Sequence, residues 1–267
     1  IKMKKYLVIG NPIEHSLSPK LHNHWIKQNN LESVYDKKLL QEGEIEEIIV
    51  ELKKNNISGI NVTVPFKKSV IPFLNELTSV AKETESVNTI YKKENKVIGD
   101  NTDVYGFQCA LQHINYNIKN KKAFILGSGG VVPSIISALK KMGISDIVLS
   151  NRTKEKAEAL KKKYSDLKVI DWGDTISSDI IINATSLGLK QDDEIKLDYS
   201  KIGSNKLFYD VIYSPSKTKF LSKAEKSNNH IENGKMMFAY QAQLAFKIWN
   251  NIKPKIDNEV IKLLSDD

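Results

Sequence analysis

The chain has 267 residues, 40% hydrophobic and 27% charged, with 40 Lys+Arg against 32 Asp+Glu and a formal net charge of +8. Those proportions belong to a soluble globular protein large enough for two cores, and with no apolar run long enough to cross a bilayer they exclude a disordered or membrane-spanning chain. A single cysteine, Cys109, excludes an internal disulfide and a Cys-rich metal site, and suits a reducing cytoplasm. No signal-peptide pattern is read at the start. The pI of about 9.2 raises nucleic acid as a partner. Against it, the lysines are scattered, and short clusters such as Lys161-Lys162-Lys163 share a helix with glutamates, as solvated faces do.

In chain order, residues 6–9 are predicted as a strand that meets a turn at Gly10-Asn11-Pro12. Ser18-Pro19 predicts a helix start, with serine as the cap and proline in the first helical position, and the helix runs through Leu21, His22, Trp25 and Ile26. Ser18 then has a structural explanation, whereas Ser16 has none. Two hydroxyls at a helix N-terminus are also able to hold a carboxylate. A strand at 34–39, an amphipathic helix at 44–54 and a strand at 59–62 follow. The last runs into Asn61-Val62-Thr63-Val64-Pro65-Phe66-Lys67, where the proline is expected to open a helix. Asn61, Thr63 and Lys67 thus fall near strand carboxyl ends, where open α/β sheets bind ligands. Read alone, Lys67 is one more surface lysine.

A hairpin is predicted from 86–91 and 96–98 around Glu94-Asn95. Gly99-Asp100-Asn101-Thr102-Asp103 leads into a helix beginning near Val104. Asp103 reads as its cap, which leaves Asn101 and Thr102 unexplained. Next comes a strand at 122–126, the turn Gly127-Ser128-Gly129-Gly130, and an apolar helix ended by Gly143. Such a turn lets backbone approach a pyrophosphate at a helix N-terminus, although a Gly-x-Gly match alone suits a structural turn equally well. The following strand, 147–149, ends in Ser150-Asn151-Arg152-Thr153, without the carboxylate that would bind the ribose of NAD. Arg152, the only arginine in the chain, is suited to a 2′-phosphate and points to NADP(H).

The alternation continues with a helix at 154–163, strands at 168–170 and 180–182, the polar loop Asn183-Ala184-Thr185-Ser186-Leu187-Gly188, and a strand at 207–212. Tyr213-Ser214-Pro215, a helix through Phe220 and Leu221, a strand at 230–231, a turn at Asn233-Gly234 and helices at 236–249 and 260–264 complete it. Alternating βα units on both sides of the glycine turn imply two α/β domains.

Nine motifs in this order resemble shikimate dehydrogenases over essentially the whole chain. They are Gly10-Asn11-Pro12-x-x-His15-Ser16-x-Ser18-Pro19, Asn61-Val62-Thr63-x-Pro65-x-Lys67, Val87-Asn88-Thr89, Asn101-Thr102-Asp103 and Gly127-x-Gly129-Gly130. Asn151-Arg152-Thr153, Asn183-Ala184-Thr185, Tyr213-x-Pro215 and Gly234-x-x-Met237-x-x-x-Gln241 complete the set. The resemblance implies reversible NADPH-dependent reduction of 3-dehydroshikimate to shikimate, on the route to aromatic amino acids. It implies a substrate domain with a mixed sheet (1–103, completed by helices in 235–267), a Rossmann-like NADP-binding domain (104–234) and a cleft between them. Lys67 and Asp103 would be the catalytic pair. Ser16, Ser18, Asn61, Thr63, Asn88, Tyr213 and Gln241 would join that pair in binding substrate. Gly127, Ser128, Gly129, Gly130, Asn151, Arg152, Thr153, Lys156, Thr185 and Gly234 would bind cofactor.

A small-molecule substrate, no metal, no nucleic-acid or membrane partner, and a cytoplasmic monomer or homodimer are expected with it. Three departures stand out: Val131-Val132-Pro133 after the glycines, Val104 after the aspartate, and Met236 in place of a glycine. A quinate/shikimate dehydrogenase using NAD is the nearest alternative, and small Ser18 with Asn151-Arg152-Thr153 argues against it. A non-catalytic NADP-binding regulator would need neither Lys67 nor Asp103.

Overall fold

A computed structural model of the chain describes residues 3–265; the outermost residues of the two sequence-assigned ranges, 1–2 and 266–267, lie outside it. The elements run β1 (Lys4–Gly10), α1 (Ser18–Gln28), β2 (Ser33–Leu39), α2 (Ile45–Lys53), β3 (Gly59–Val62), β4 (Glu76–Leu77), α3 (Ser79–Thr84), β5 (Thr89–Lys93), β6 (Lys96–Asp100) and α4 (Asp103–His113). They continue with β7 (Lys122–Leu126), α5 (Val132–Lys141), β8 (Asp146–Ser150), α6 (Lys154–Lys163), β9 (Lys168–Ile170) and β10 (Ile180–Asn183). Then come α7 (Tyr199–Ile202), β11 (Leu207–Asp210), α8 (Lys219–Lys226), β12 (His230–Glu232), α9 (Lys235–Asn250) and α10 (Asn258–Leu263). Two compact units result, one of residues 3–107 with Phe238–Ser265 and one of Gln108–Met237.

The first unit holds a mixed six-stranded sheet of order β2-β1-β3-β5-β6-β4. β1 pairs in parallel with β2 and β3, and β5 runs antiparallel to both β3 and β6. Side chains alternate along β1, so the strand serves two cores. Leu7 and Ile9 pack with Ile45, Ile48, Ile49 and Leu52 of α2. Tyr6 and Val8 pack on the other face with Leu21 and Trp25 of α1, Ala242 and Phe246 of α9 and Val260 of α10. Each such fully buried aliphatic chain contributes roughly 1.5–3 kcal/mol. The apolar face of Tyr6 and Val8 is therefore why the C-terminal helices belong to this unit, and the Tyr6 ring stacks on Trp249 of α9 at 4.9 Å.

The second unit holds a parallel six-stranded sheet of order β12-β11-β10-β7-β8-β9. Its strand order reverses between β7 and β10, the switch point at which such sheets bind dinucleotides. β7 and β10 are buried except at Lys122, as a sheet covered on both faces requires.

Several local expectations change. Residues 63–70 form turns instead of the helix expected to open at Pro65, followed by a short 3-10 turn at Ile71–Phe73. β4, α3 and α7 are too short to show periodicity; α3 is set by Thr78, whose hydroxyl accepts from the N–H of Ala81. Ser18 is not a cap. It lies in the first turn of α1, whose cap position is Leu17 with no side-chain bond; the Ser16 hydroxyl instead accepts from the Ser18 N–H at 3.3 Å. Nor is Asp103 the cap of α4. Asn101 Oδ1 accepts from the N–H groups of Asp103 (2.9 Å) and Val104 (3.3 Å), which leaves the Asp103 carboxylate for other use.

Candidate active site

In the first unit, β3 ends at Val62 and the chain turns through Thr63 to Lys67, whose carbonyl accepts from the Val87 N–H at 2.8 Å. Val87 precedes Asn88 and β5, so this bond ties the Lys67 turn to the start of the hairpin. α4 begins at Asp103, directly after β6 and Asn101-Thr102. These segments bring Lys67 Nζ to 2.5 Å from Asp103 Oδ2, with side chains 12% and 8% exposed. Lys67 is thus no surface lysine. A pair this enclosed is costly to desolvate and adds little net stability, which marks it as a candidate for chemistry.

Asn88 holds the other carboxylate oxygen. Its Nδ2 lies 3.1 Å from Asp103 Oδ1, 2.8 Å from Thr102 Oγ1 and 3.4 Å from Gln241 Oε1. Gln241, on α9, donates from Nε2 to the Phe238 carbonyl. Asn61 donates from Nδ2 to the Asn88 carbonyl (3.0 Å) and to Thr89 Oγ1 (3.2 Å), and its Oδ1 accepts from the Tyr35 hydroxyl at 2.7 Å. Only one Oδ1 lone pair remains for a ligand. Burial pushes the Tyr35 phenol well above its usual range, partly offset by the Ser18 hydroxyl. Ser18 is buried and Ser16 half-buried at the start of α1, and Thr63 is half-buried. Ser16, Ser18, Asn61, Thr63, Lys67, Asn88, Asp103 and Gln241 all belong to unit one, and Tyr213 to unit two. Tyr35 carried no sequence signal, because a tyrosine on a strand reads as packing.

In the second unit the glycine turn leaves β7 at the switch point. Gly127 has φ +115°, and a Cβ there would lie 2.8 Å from the Ala184 carbonyl oxygen, so both backbone conformation and space demand glycine. A Cβ on Gly129 would meet nothing within 4 Å, so backbone on that side is open to a ligand. Val131 caps α5 without a side-chain bond, Pro133 sits in its first turn, and Val132 is fully buried where the dinucleotide fingerprint has its third glycine. Arg152, Thr153 and Lys156 are exposed after β8, and Asn151 donates to the Thr153 carbonyl at 2.7 Å. These groups fit a phosphorylated ribose: an exposed guanidinium just after β8 and an exposed ammonium in the first turn of α6. Gly234 is required by packing, since a Cβ there would lie 2.0 Å from the Val211 carbonyl oxygen.

Sequence reasoning missed one carboxylate here, although an acid closing the apolar run Leu207-Phe208-Tyr209 was a visible signal. Asp210 is fully buried. Its Oδ1 accepts from Asn183 Nδ2 (3.1 Å) and the Ile212 N–H (3.0 Å), and Oδ2 from Thr218 Oγ1 (2.6 Å). Asn183 in turn holds Thr185 through its Oδ1. One carboxylate thus ties the loops after β10 and β11 together. Burial pushes Asp210 up to about 6 despite these donors. Between the unfolded value near 3.8 and 6, the folded state binds a proton that the unfolded state does not, so this group's contribution falls as pH rises through that window. Relative to Asp210→Asn, wild-type stability should therefore gain up to ~3 kcal/mol as pH drops from above 6 to about 4, read from urea midpoints of the two proteins. A difference independent of pH would contradict the raised value.

Fold and site together define a two-unit, dinucleotide-binding α/β oxidoreductase. Family models for the shikimate dehydrogenase substrate binding domain and for shikimate / quinate 5-dehydrogenase match residues 8–90 and 108–191. The chain belongs to the shikimate dehydrogenase family. It is 58% identical over 261 residues to the shikimate dehydrogenase (NADP(+)) of Pelagibacter ubique, covering 98% of each chain. The structure of shikimate 5-dehydrogenase from Thermus thermophilus in complex with NADP(H) and shikimate is 28% identical with a TM-score of 0.85, covering 95% of each chain. That of shikimate 5-dehydrogenase from Listeria monocytogenes in complex with shikimate and NAD is 27% identical with a TM-score of 0.89, covering 97% of this chain and 96% of the other. No helix among the described residues is long and apolar enough to cross a membrane.

Proposed function

We infer that the chain catalyses the reversible NADPH-dependent reduction of 3-dehydroshikimate to shikimate, a step of the shikimate pathway. The observation that carries the catalytic assignment is the enclosed Lys67–Asp103 contact at 2.5 Å. When bound, the nicotinamide supplies the hydride to the ketone carbon and takes it back in the reverse direction. As the carbonyl oxygen gains charge, the Lys67 ammonium hydrogen-bonds it, stabilises it and delivers the proton from Nζ. Asp103 Oδ2 holds that ammonium in place, and Asn88 fixes the carboxylate through Oδ1.

Ser16 and Ser18 take the substrate carboxylate at the start of α1. Thr63, Asn88 and Gln241 take hydroxyls; the 3.4 Å contact between Asn88 and Gln241 is the bond a hydroxyl would replace. Asn61 serves through its remaining Oδ1 lone pair, and Tyr213 is a further substrate-binding residue. For the cofactor, Gly127, Ser128, Gly129 and Gly130 receive the pyrophosphate, Asn151, Arg152, Thr153 and Lys156 the 2′-phosphate, and Thr185 and Gly234 shape backbone at the ends of β10 and β12. The lone Cys109 thiol supports a reducing, cytoplasmic setting.

The substrate orientation is tested with Ser16→Ala. A carboxylate remote from the reacting carbon is bound alike in ground and transition states, so KM for shikimate should rise roughly 10- to 100-fold while kcat stays within about threefold. A loss confined to kcat would reject the carboxylate role.

A further inference from the structure

We propose that Tyr35 is a positioning residue for the Lys67–Asp103 pair, its hydroxyl opening a one-directional chain of hydrogen bonds that ends on the Asp103 carboxylate. The inference rests on the assignment of that pair as catalytic. The chain runs from the Tyr35 hydroxyl to Asn61 Oδ1 (2.7 Å), from Asn61 Nδ2 to Thr89 Oγ1 (3.2 Å), from Thr89 Oγ1 to Asn88 Oδ1 (3.0 Å), and from Asn88 Nδ2 to Asp103 Oδ1 (3.1 Å). Every donor points toward the carboxylate.

Backbone groups dictate that direction. The Thr102 N–H donates to Asn88 Oδ1 at 2.8 Å, so the Asn88 amide can face Asp103 only with its NH2 group. The Asn88 carbonyl accepts from Asn61 Nδ2 at 3.0 Å, so Asn61 can face Tyr35 only with its oxygen. With both amides fixed, the Tyr35 hydroxyl donates to Asn61 Oδ1, and the Thr89 hydroxyl, which accepts from Asn61 Nδ2, has Asn88 Oδ1 at 3.0 Å as its nearer acceptor and Thr102 Oγ1 at 3.4 Å as the longer contact. Tyr35, Asn61, Asn88 and Thr89 are all buried, so no water stands ready to replace a missing donor. Packing holds the phenol itself. The His22 ring stacks on Tyr35 with centroids 4.2 Å apart and planes 6° apart, and burial pushes His22 down to about 3, so it stays neutral beside the chain.

Tyr35→Phe keeps the ring and its stack but removes the first donor. Asn61 Oδ1 then loses its buried partner, so the side chain keeps its orientation but is held less firmly, and the restraint that it passes through Thr89 to Asn88 and Asp103 weakens. The expected result is a roughly tenfold lower kcat for shikimate oxidation with KM for NADP unchanged. Thr89→Val breaks the same chain two links on, should cost a similar factor, and should add little to Tyr35→Phe. His22→Phe alters the stack but no link, and should keep kcat within about twofold. If Tyr35→Phe does not fold, as judged by circular dichroism, Thr89→Val beside His22→Phe decides the matter alone. Full kcat in folded Tyr35→Phe or Thr89→Val, strictly multiplicative losses in the double variant, or an equal loss in His22→Phe would overturn the proposal. Asp103→Asn, assayed alongside, separates the two levels: its loss of turnover with full activity in Tyr35→Phe rejects the chain and keeps the catalytic pair, while full turnover in Asp103→Asn rejects both.

Discussion

Lys67→Met should lower kcat for shikimate oxidation by roughly a hundred- to ten-thousand-fold, the range for loss of a positioned proton donor. Asp103→Asn should fall in the same range, and the double variant should lose little more. The ammonium stabilises the developing oxyanion only while it is held, and Asp103 Oδ2 at 2.5 Å is what holds it. Effects inside such a unit do not add. Either single change also leaves a charge without its partner in an enclosed site, which costs about 3–5 kcal/mol when a buried pair is broken, so each variant is checked by circular dichroism and thermal unfolding before it is assayed. Shikimate binding should survive better than turnover, because Ser16, Ser18 and Gln241 remain. Near-wild-type kcat in folded Lys67→Met would reject the lysine as proton donor.

The second large effect concerns cofactor choice. Arg152→Ala should raise the Kd for NADP(H), followed by nucleotide fluorescence, by roughly 10- to 100-fold and leave that for NAD(H) nearly unchanged. The guanidinium is exposed just after β8, which leaves it available to a 2′-phosphate. NAD lacks that phosphate and loses nothing. Equal weakening of both nucleotides would mean that Arg152 shapes the loop and does not read the phosphate.

Much of this was legible in the residues. Much of the second unit could be read element by element, because β7, β8 and β11 are short, largely apolar runs each followed by a helix, with Gly143 just past the end of α5. The first unit was less legible. Its antiparallel hairpin joins the sheet beside β3 and its edge strand β4 is two residues long, and neither pairing leaves a mark in local periodicity. Periodicity gave α9 as a helix but not its partner sheet, which Tyr6 and Val8 determine from more than two hundred residues away in sequence.

At the site, the polar run Gly99–Asp103 was visibly too polar for a simple cap, and the division of labour explains it: Asn101 caps α4 and Asp103 meets Lys67. Lys67 itself could not be distinguished by residue type among so many lysines, and only the nine-motif resemblance singled it out. Tyr35 acts through Asn61, distant in sequence, so no local pattern exposes it, whereas Asp210 closes a visible apolar run and only its distant partner Asn183 is hidden from the sequence.

The most direct test of the central claim is the initial rate of nucleotide reduction when the purified protein is given shikimate with NADP and, separately, with NAD. The account predicts rapid formation of NADPH and 3-dehydroshikimate, with kcat/KM for NADP well above that for NAD. Folded protein that binds NADP yet reduces none of it in the presence of shikimate would contradict it.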